Sequence, residues 1–304
     1  MSNILVSGAS GIVGYGILKS LRNHGLHLIG TTIYEDSVCS AFCDTFIKAI
    51  PTDDINYIAW LKDVIKNNDV DMIIPGIEDD FYVWYEHLEE LSEITTVMMN
   101  NQSLITLCRD KWIFFKEMKS AALPYIIDSE IATSPRNKIP FIVKPRRGFG
   151  SQGFKIITKP EDFIPSTTMI SQPYIDGDEY TVSAFGDGRG NFFNYICMKR
   201  TLDKAGFTGT AKRVNVPKMK EILTDLCGHF KPEGPTNFQF RKQGEDFKLL
   251  EINPRISSST SIKTLFGYNE CMMAVDYYLN AINPIQPDLK EGTVIRYTED
   301  MVMP

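Results

Sequence analysis

The segment Leu-Leu-Glu-Ile-Asn-Pro-Arg at residues 249–255 limits what this chain can fold into more than any other part of the sequence. Its apolar run predicts a buried strand, in which Glu251 and Asn253 point to the same face because they lie two residues apart. Gln239 belongs to an earlier strand-like stretch, and a glycine turn would bring it to that face as well. A buried carboxylate needs an ion pair or a metal, and oxygen ligands of this kind suit Mg²⁺. The alternative is a strand end at which Glu251 pairs only with Arg255.

Size and charge narrow the class of protein. A length of 304 residues suggests two or three structural units. The net charge of −6, without a basic tract, argues against a nucleic-acid partner. No run approaches the roughly 18 apolar residues that span a bilayer, and the start resembles no secretory signal, so we expect no membrane and a cytoplasmic location. The six cysteines form no zinc-ligand pattern, which predicts free thiols.

The first hundred residues alternate between strand and helix patterns. The apolar periodicity predicts strands at 3–7, 27–32 and 72–76 and helices at 12–21, 54–67 and 78–91. Strands that alternate with helices favour an open parallel sheet of the α/β class.

A glycine pattern, Gly8-x-x-Gly11-x-x-Gly14, follows the first of these strands. It is typical of phosphate-binding loops, but the same glycines also serve close strand–helix packing without a ligand. An NAD-dependent sugar epimerase or reductase is therefore one hypothesis. Such enzymes need a catalytic Tyr-x-x-x-Lys pair on a helix. Tyr195 and Lys199 match that spacing only within a strand-rich stretch, so we take the match as coincidence.

The pattern changes near residue 101. A helix at 104–118 carries Lys111, and a strand at 141–145 carries Lys144 and leads into the glycine-rich loop 146–153. Another strand follows at 154–157, so the order strand–loop–strand excludes a Walker A motif, which opens a helix. A hairpin whose backbone N–H groups close over phosphates is the better interpretation, with Lys144 as a point charge.

An antiparallel hairpin is predicted from strands at 180–185 and 192–198, with turn residues between them. Glu179 lies just before the first strand. Taken alone, it is typical of a solvated strand-end charge. Arg200 is placed in a loop that follows the second strand and extends to Thr210.

These motifs occur in an order that resembles the ATP-grasp superfamily, and most closely its carbamoyl phosphate synthetase large-subunit-like branch. The resemblance covers nearly the whole chain and rests on Lys111, Lys144, the glycine-rich loop, residues 172–179, Gln239, Glu251, Asn253 and Arg255. It implies an α/β fold followed by α+β units: an N-terminal open parallel-sheet, Rossmann-like domain at 1–97, a small lid subdomain at 98–170 and a large subdomain with the metal site at 171–304.

The resemblance also implies a role for each motif. ATP contacts would come from Lys111, Lys144, Gly148, Gly150, Ser151, Gly153, Gln172, Tyr174, Ile175 and Glu179, the last of these with the ribose hydroxyls. Metal ligands would be Gln239, Glu251 and Asn253, holding Mg²⁺ or alternatively Mn²⁺. Catalytic groups would be Arg255, Arg200 and Lys144, with Arg200 near the acceptor substrate.

The function implied is an ATP-dependent carboxylate–amine ligase that forms an amide through an acyl phosphate and releases ADP and phosphate. Its partners would be a small carboxylic acid and an amine, and a homodimer is the default assembly. The chain has no glutaminase segment and no second synthetase half, so carbamoyl phosphate synthesis itself is not expected. A nucleotide-binding module without ligase activity is a further alternative.

Overall fold

The computed structural model describes residues 1–148, 153–203 and 206–302. Within these residues the helices are α1 (Ile12–Leu21), α2 (Tyr57–Asn67), α3 (Glu78–Glu86), α4 (Leu88–Ser92), α5 (Gln102–Cys108), α6 (Lys111–Ser120), α7 (Met219–Phe230), α8 (Thr260–Leu265) and α9 (Glu270–Asn280). The strands are β1 (Asn3–Val6), β2 (His27–Thr32), β3 (Thr45–Lys48), β4 (Met72–Ile74), β5 (Thr96–Val97), β6 (Glu130–Ile131), β7 (Phe141–Pro145), β8 (Lys155–Ile157), β9 (Met169–Pro173), β10 (Glu179–Asp187), β11 (Phe192–Leu202), β12 (Thr208–Arg213), β13 (Glu233–Gln243), β14 (Asp246–Asn253) and β15 (Thr293–Ile295).

The chain divides into two compact units. The first comprises Met1–Asn100, Arg255–Lys290 and Tyr297–Pro304, and the second comprises Asn101–Pro254 and Glu291–Arg296. The division into 1–97, 98–170 and 171–304 stays a prediction. The structure nevertheless groups residues 255–290 with the first unit, whereas the sequence analysis assigned them to the third segment.

The first unit contains a parallel sheet with strand order β3-β2-β1-β4-β5, which confirms the predicted α/β class. Its central strands contribute Ile4, Leu5 and Ile73, all fully buried. Helices α8 and α9 pack beside α1, where Asn269 Nδ2 donates to the carbonyl of Ser20 at 2.7 Å. This contact explains how residues far along the chain complete the first unit.

Two segments that were each predicted as one continuous helix are two shorter helices in the structure, so these two predictions are wrong. The helix predicted at 78–91 ends at Glu86 and restarts at Leu88, because His87 leaves helical geometry (φ −113°, ψ 22°). The helix predicted at 104–118 is divided between α5 and α6. Asp110 separates them because its carboxylate accepts from the backbone N–H groups of Trp112 and Ile113, at 2.9 and 3.4 Å, and so caps the start of α6.

The glycines after β1 are explained by close packing. A Cβ on Gly14 would lie 2.4 Å from the carbonyl oxygen of Gly8, and one on Gly76 would lie 2.0 Å from the carbonyl oxygen of Ser7. Gly8 itself has φ +55°, in the left-handed region that favours glycine. Steric contact between the β1 and β4 loops therefore requires these glycines, and the pattern needs no bound dinucleotide to account for it.

The second unit contains a four-stranded sheet with order β6-β9-β7-β8 and a six-stranded sheet with order β14-β13-β10-β11-β12-β15. The predicted hairpin of β10 and β11 is confirmed, and its pairing is antiparallel. One face of the larger sheet carries Val182, Phe238 and Ile252, which pack with Leu226 of α7 in the main core of the unit. Side chains alternate along a strand, so the other face carries the intervening polar residues. No described helix has the length and apolar character to cross a bilayer.

Candidate functional site

The three predicted metal-ligating side chains lie together on the polar face of the larger sheet. Gln239 of β13 pairs directly with Glu251 of β14, and Asn237 pairs with Asn253. Asn253 Nδ2 donates to Glu251 Oε1 at 3.0 Å. The structure thus brings Gln239, Glu251 and Asn253 to adjacent positions on two neighbouring strands.

Buried polar groups on the same face were not found from the sequence. Thr181, Ser183 and Asn237 are each 1% exposed, and Thr181 Oγ1 donates to Asn237 Oδ1 at 2.6 Å. The Nδ2 group of Asn237 has no hydrogen-bond partner within the described part of the chain. Burying such a donor unpaired costs free energy, so this side chain can bond a group that the ligand-free chain does not supply. The alternation of Thr181 and Ser183 with apolar residues along β10 is the sequence signal that could have identified this face.

Glu179 lies in one cross-strand row between two arginines. It pairs with Arg200 of β11 on one side and with Arg241 of β13 on the other. Arg200 Nε and Nη2 both donate to Glu179 Oε1, at 2.9 and 2.5 Å, whereas Arg241 Nη2 lies 3.4 Å from Oε2. The Glu179 side chain is only 11% exposed, so it is not the solvated charge that the residue alone would predict.

The predicted placement of Arg200 in a loop is wrong. Strand β11 continues to Leu202, and Arg200 faces Glu179 in register, with only 8% of its side chain exposed. The extension of β11 to Leu202 was not predicted because charged and polar residues at a strand end are also typical of a loop. Only the cross-strand partner of Arg200 distinguishes the two. The sequence analysis also missed Arg241, whose Nη1 donates to the carbonyl of Ile175 at 3.1 Å.

Lys144 lies near the end of β7, with its Nζ 5.5 Å from the centre of the Phe115 ring. The pKa of Lys144 is lowered to about 8, chiefly by desolvation and in smaller part by the nearby positive charge of Lys111. The negative charge of Glu251 acts in the opposite direction. Lys144 therefore lies within electrostatic range of both Lys111 and the carboxylate on β14, as a phosphate site near a metal would require.

Lys111 begins helix α6 and reaches the glycine-rich loop. Its Nζ donates to the carbonyl of Gly148 at 2.7 Å. Gly148 has φ +125°, and among the described residues that are not its chain neighbours no atom lies within 4 Å of where its Cβ would be, while Gly153 has φ +70° at the far end of the loop. The predicted contacts Gly150 and Ser151 lie outside the described residues.

The start of the glycine-rich loop is anchored by Asp110, which sequence reasoning did not single out. Arg146 Nη2 and Nε donate to its carboxylate at 2.7 and 3.2 Å. Burial raises the pKa of Asp110, but Arg146 and two backbone N–H groups outweigh this effect, so the pKa lies below its usual value. The carboxylate thus joins the loop to the helix that presents Lys111.

Three predicted nucleotide contacts lie on or after β9. Gln172 is fully buried, its Nε2 donates to Ser129 Oγ at 2.8 Å, and its Oε1 has no partner within the described residues. Gln172 pairs with Ile142 of β7 and so shares a sheet face with Lys144, two residues further along. Tyr174 is half-buried and Ile175 is buried.

Arg255 belongs to the first unit, where the first residue of α3 provides its partner. Its Nη2 donates to Glu78 Oε2 at 2.6 Å, and both side chains are mostly buried, at 18% and 15% exposed. Glu78 was not singled out from the sequence, because the pair is separated by 177 positions. Nearby, Lys263 and Glu270 form a fully buried ion pair, and Lys263 Nζ also donates to Ser257 Oγ at 3.2 Å.

The donor set on β13 and β14 fits a hard divalent cation. Glu251 supplies a carboxylate, and Gln239 and Asn253 supply amide groups at neighbouring positions. Oxygen ligands of this kind, one charged and two neutral, suit Mg²⁺ completed by phosphate oxygens. No group of three His, Cys, Asp or Glu side chains that could hold a metal ion is assembled among the described residues.

The C-terminal part of the chain matches a known protein family. Residues 165–301 match the model of a family described as "ATP-grasp in the biosynthetic pathway with Ter operon". No curated protein matches the chain in sequence.

Solved structures resemble nearly the whole chain at low sequence identity. Biotin carboxylase from Campylobacter jejuni, solved as a β,γ-ATP complex, superposes with a TM-score of 0.76 at 16% identity, covering 96% of this chain and 74% of that one. N5-carboxyaminoimidazole synthetase from Staphylococcus aureus gives 0.72 at 17% identity, covering 95% and 80%. L-amino acid ligase from Bacillus licheniformis gives 0.70 at 15% identity, covering 92% and 74%. At these identities the likeness establishes the fold.

Proposed function

We propose that this chain is a member of the ATP-grasp superfamily and that it is an ATP-dependent carboxylate–amine ligase acting on small molecules. The observation that carries the proposal is the meeting of three groups in one unit: Gln239 opposite Glu251, and Lys144 within electrostatic range of that carboxylate. A nucleotide triphosphate with its divalent cation needs this combination of oxygen ligands and cations.

The nucleotide would be held by residues of the second unit. The proposed contacts are Lys111, Lys144, Gly148, Gly150, Ser151, Gly153, Gln172, Tyr174, Ile175 and Glu179. Lys111 and Lys144 would neutralise phosphate charge, and the glycine-rich loop would offer backbone N–H groups. Gln172 has a buried oxygen without a donor, which the amino group of adenine would satisfy. Glu179 Oε2 has spare acceptor capacity for a ribose hydroxyl, because its only described contact is long.

Mg²⁺, or Mn²⁺ in its place, would be held by Gln239, Glu251 and Asn253. When bound, such a cation neutralises charge on the transferred phosphoryl group. The chain's own contribution is to hold this charge and the two lysines in fixed positions, which is most of what phosphoryl transfer needs.

The proposed reaction has two steps. A carboxylate oxygen of the acid attacks the γ-phosphorus and ADP leaves, which gives an acyl phosphate. The amine nitrogen then attacks the carbonyl carbon, loses a proton, and phosphate leaves as the amide forms. Arg255 would stabilise negative charge on the acyl phosphate, because its planar guanidinium matches carboxylate and phosphate oxygens. The glycine-rich loop would exclude water that would otherwise hydrolyse this intermediate.

We also propose that the chain belongs to the carbamoyl phosphate synthetase-like branch, is located in the cytoplasm and forms a homodimer.

The proposal is tested by a substrate screen. Carboxylic acids are crossed with amines in the presence of Mg·ATP, ADP release is recorded, and amides are identified by mass spectrometry. ADP formed only when both an acid and an amine are present, with a matching amide mass, supports the ligase. ADP formed with an acid alone, together with a stable phosphorylated product, would instead indicate a kinase.

A further inference from the structure

Arg200 touches both the residue proposed for the ribose and a residue proposed for the metal. Its Nη2 donates to Glu179 Oε1 at 2.5 Å and also lies 3.0 Å from Gln239 Oε1. Its Nε donates to the same oxygen of Glu179, and its Nη1 lies 3.3 Å from Thr208 Oγ1 on β12. A single, almost fully buried guanidinium thus joins three strands of the sheet.

The contact with Glu179 selects one of its two oxygens. Both short bonds from Arg200 end on Oε1, so that oxygen is occupied, and Oε2 keeps only the 3.4 Å contact to Arg241. A carboxylate oxygen can accept more than one hydrogen bond, and an arginine held by several bonds fixes the orientation of its partner. Arg200 therefore leaves Oε2 of Glu179 as the oxygen that can accept a hydrogen bond from a ligand.

The contact with Gln239 fixes which end of the amide is turned inward. A guanidinium donates and never accepts, so the group facing Arg200 must be the amide oxygen. That oxygen has a second lone pair, and it lies in register with Glu251 on the next strand. Arg200 therefore presents the Gln239 side chain in the orientation that a cation needs.

From these contacts we infer that Arg200 is a positioning residue that couples the ribose site at Glu179 to the metal site at Gln239. The inference rests on the proposed function, since it assigns a relation between two of its sites. It also replaces the expectation that Arg200 meets the acceptor substrate: the guanidinium is committed to side chains of β10, β13 and β12.

The charge at Glu179 explains why the bridge needs an arginine. A carboxylate buried to this extent is stable as an anion only with a paired cation. Lysine would supply the charge, but from one atom and without the planar fork, so it could not hold Glu179 and Gln239 in the same fixed arrangement. Arg200→Lys is therefore the variant that keeps the charge and removes the bridge.

The experiment measures two properties in each variant by calorimetric titration. The first is the ratio of the dissociation constants for 2′-deoxy-ATP or 3′-deoxy-ATP and for ATP, all with Mg²⁺, which reports the ribose contacts. The second is the Mg²⁺ concentration that half-saturates ATP binding. The variants are Arg200→Lys and Glu179→Gln, with Arg213→Lys as the matched control. Arg213 lies on β12 of the same sheet, but its partner Glu291 is 74% exposed.

The inference predicts that both properties change together. In Arg200→Lys the ratio of the dissociation constants for deoxy-ATP and ATP should fall about tenfold towards one. The Mg²⁺ concentration for half-saturation should rise several-fold, because the variant loses hydrogen bonds to a charged group. Glu179→Gln should raise the Mg²⁺ requirement as well, although Glu179 is no proposed metal ligand. Loss of folding stability alone would lower the active fraction without changing either property per active molecule. Arg213→Lys should leave both unchanged.

Several results would overturn the inference. One is a Glu179→Gln protein with a normal Mg²⁺ requirement, which remains informative if Arg200→Lys does not fold. Another is an Arg200→Lys protein that alters only the KM of the acid or amine. If the unaltered protein binds ATP equally well with and without Mg²⁺, the inferred coupling fails, while the nucleotide site stands. If it binds no nucleotide at all, the proposed function fails, and the inference fails with it.

Discussion

Gln239 and Glu251 face each other across β13 and β14 because the register shifts by one residue beside them. Phe240 pairs with Leu249, and Gln239 pairs with Glu251, so Leu250 has no counterpart on β13. Without this bulge, Gln239 would oppose Leu250, and the carboxylate would point towards the apolar face. The bulge therefore places Glu251 beside Gln239, and this pair is the basis of the first prediction.

Replacing Glu251 by glutamine should abolish turnover. The variant keeps the shape of the side chain and loses its charge, so we expect ADP release to fall by roughly 10²-fold or more. The matched control is Glu245→Gln in the turn of the same hairpin, whose side chain is 86% exposed. ADP release at the normal rate from the Glu251 variant would show that the carboxylate has no part in the reaction.

Mg·ATP should stabilise the protein against heat, whereas NADH should not. A ligand that binds only the folded state raises the melting temperature by mass action, by an amount that grows with its concentration. Differential scanning fluorimetry with Mg·ATP, Mg·ADP and NADH measures this directly. Stabilisation by NADH alone would restore the dinucleotide interpretation of Gly8, Gly11 and Gly14 and would count against the nucleotide site.

The affinity for Mg·ATP should decrease above about pH 8. Desolvation lowers the pKa of Lys144 to about 8 in the ligand-free protein, and bound phosphate favours the charged lysine. Below that pH the lysine is already protonated, so binding takes up no proton there. Above it each binding event must take up a proton, and the affinity falls by up to tenfold per pH unit. Titrations between about pH 7 and 9.5 measure the slope.

Lys144→Arg is the control for this titration, because arginine keeps its proton throughout the range. Its affinity profile should be flat above pH 8, even if the affinity itself is lower. A flat profile in the unaltered protein would mean that Lys144 does not titrate against the phosphates.

Gly76→Ala should destabilise the first unit strongly. The added Cβ would lie 2.0 Å from the carbonyl oxygen of Ser7 and 2.7 Å from Gly14 Cα, and both are backbone atoms that cannot easily move. We expect a loss of about 1–3 kcal/mol or more in the free energy of unfolding, as for other overpacked sites. Gly228→Ala is the contrasting case: it lies in α7, no atom from elsewhere in the described residues lies within 4 Å of the new Cβ, and the change should stabilise by about 0.5–1 kcal/mol. Urea denaturation compares the two.

Local periodicity predicted much of the fold and part of the site. The strand β2 has the predicted bounds, and the i, i+2 spacing placed Glu251 and Asn253 together as the structure does. Polar partners far apart in sequence were not predictable, since no local pattern marks the pair Arg255–Glu78 or the buried row of Glu179 and its arginines. The separation of α5 from α6 at Asp110 was not predicted, because an aspartate followed by an apolar run also fits the interior of a longer helix.

The return of residues 255–290 to the first unit affects how the chain acquires its structure during synthesis. The surface of α1 that receives α8 and α9 is made within the first twenty-odd residues, but its covering helices are translated more than two hundred residues later. Until then the nascent first unit leaves this face of α1 uncovered, with Gly16 and Ser20 lacking the contacts that Thr260, Thr264 and Asn269 later make, and an unfinished surface is a site for chaperone binding or misassembly. A fragment that ends near residue 100 should therefore be poorly soluble by itself, and supplying residues 255–290 as a separate peptide should rescue it.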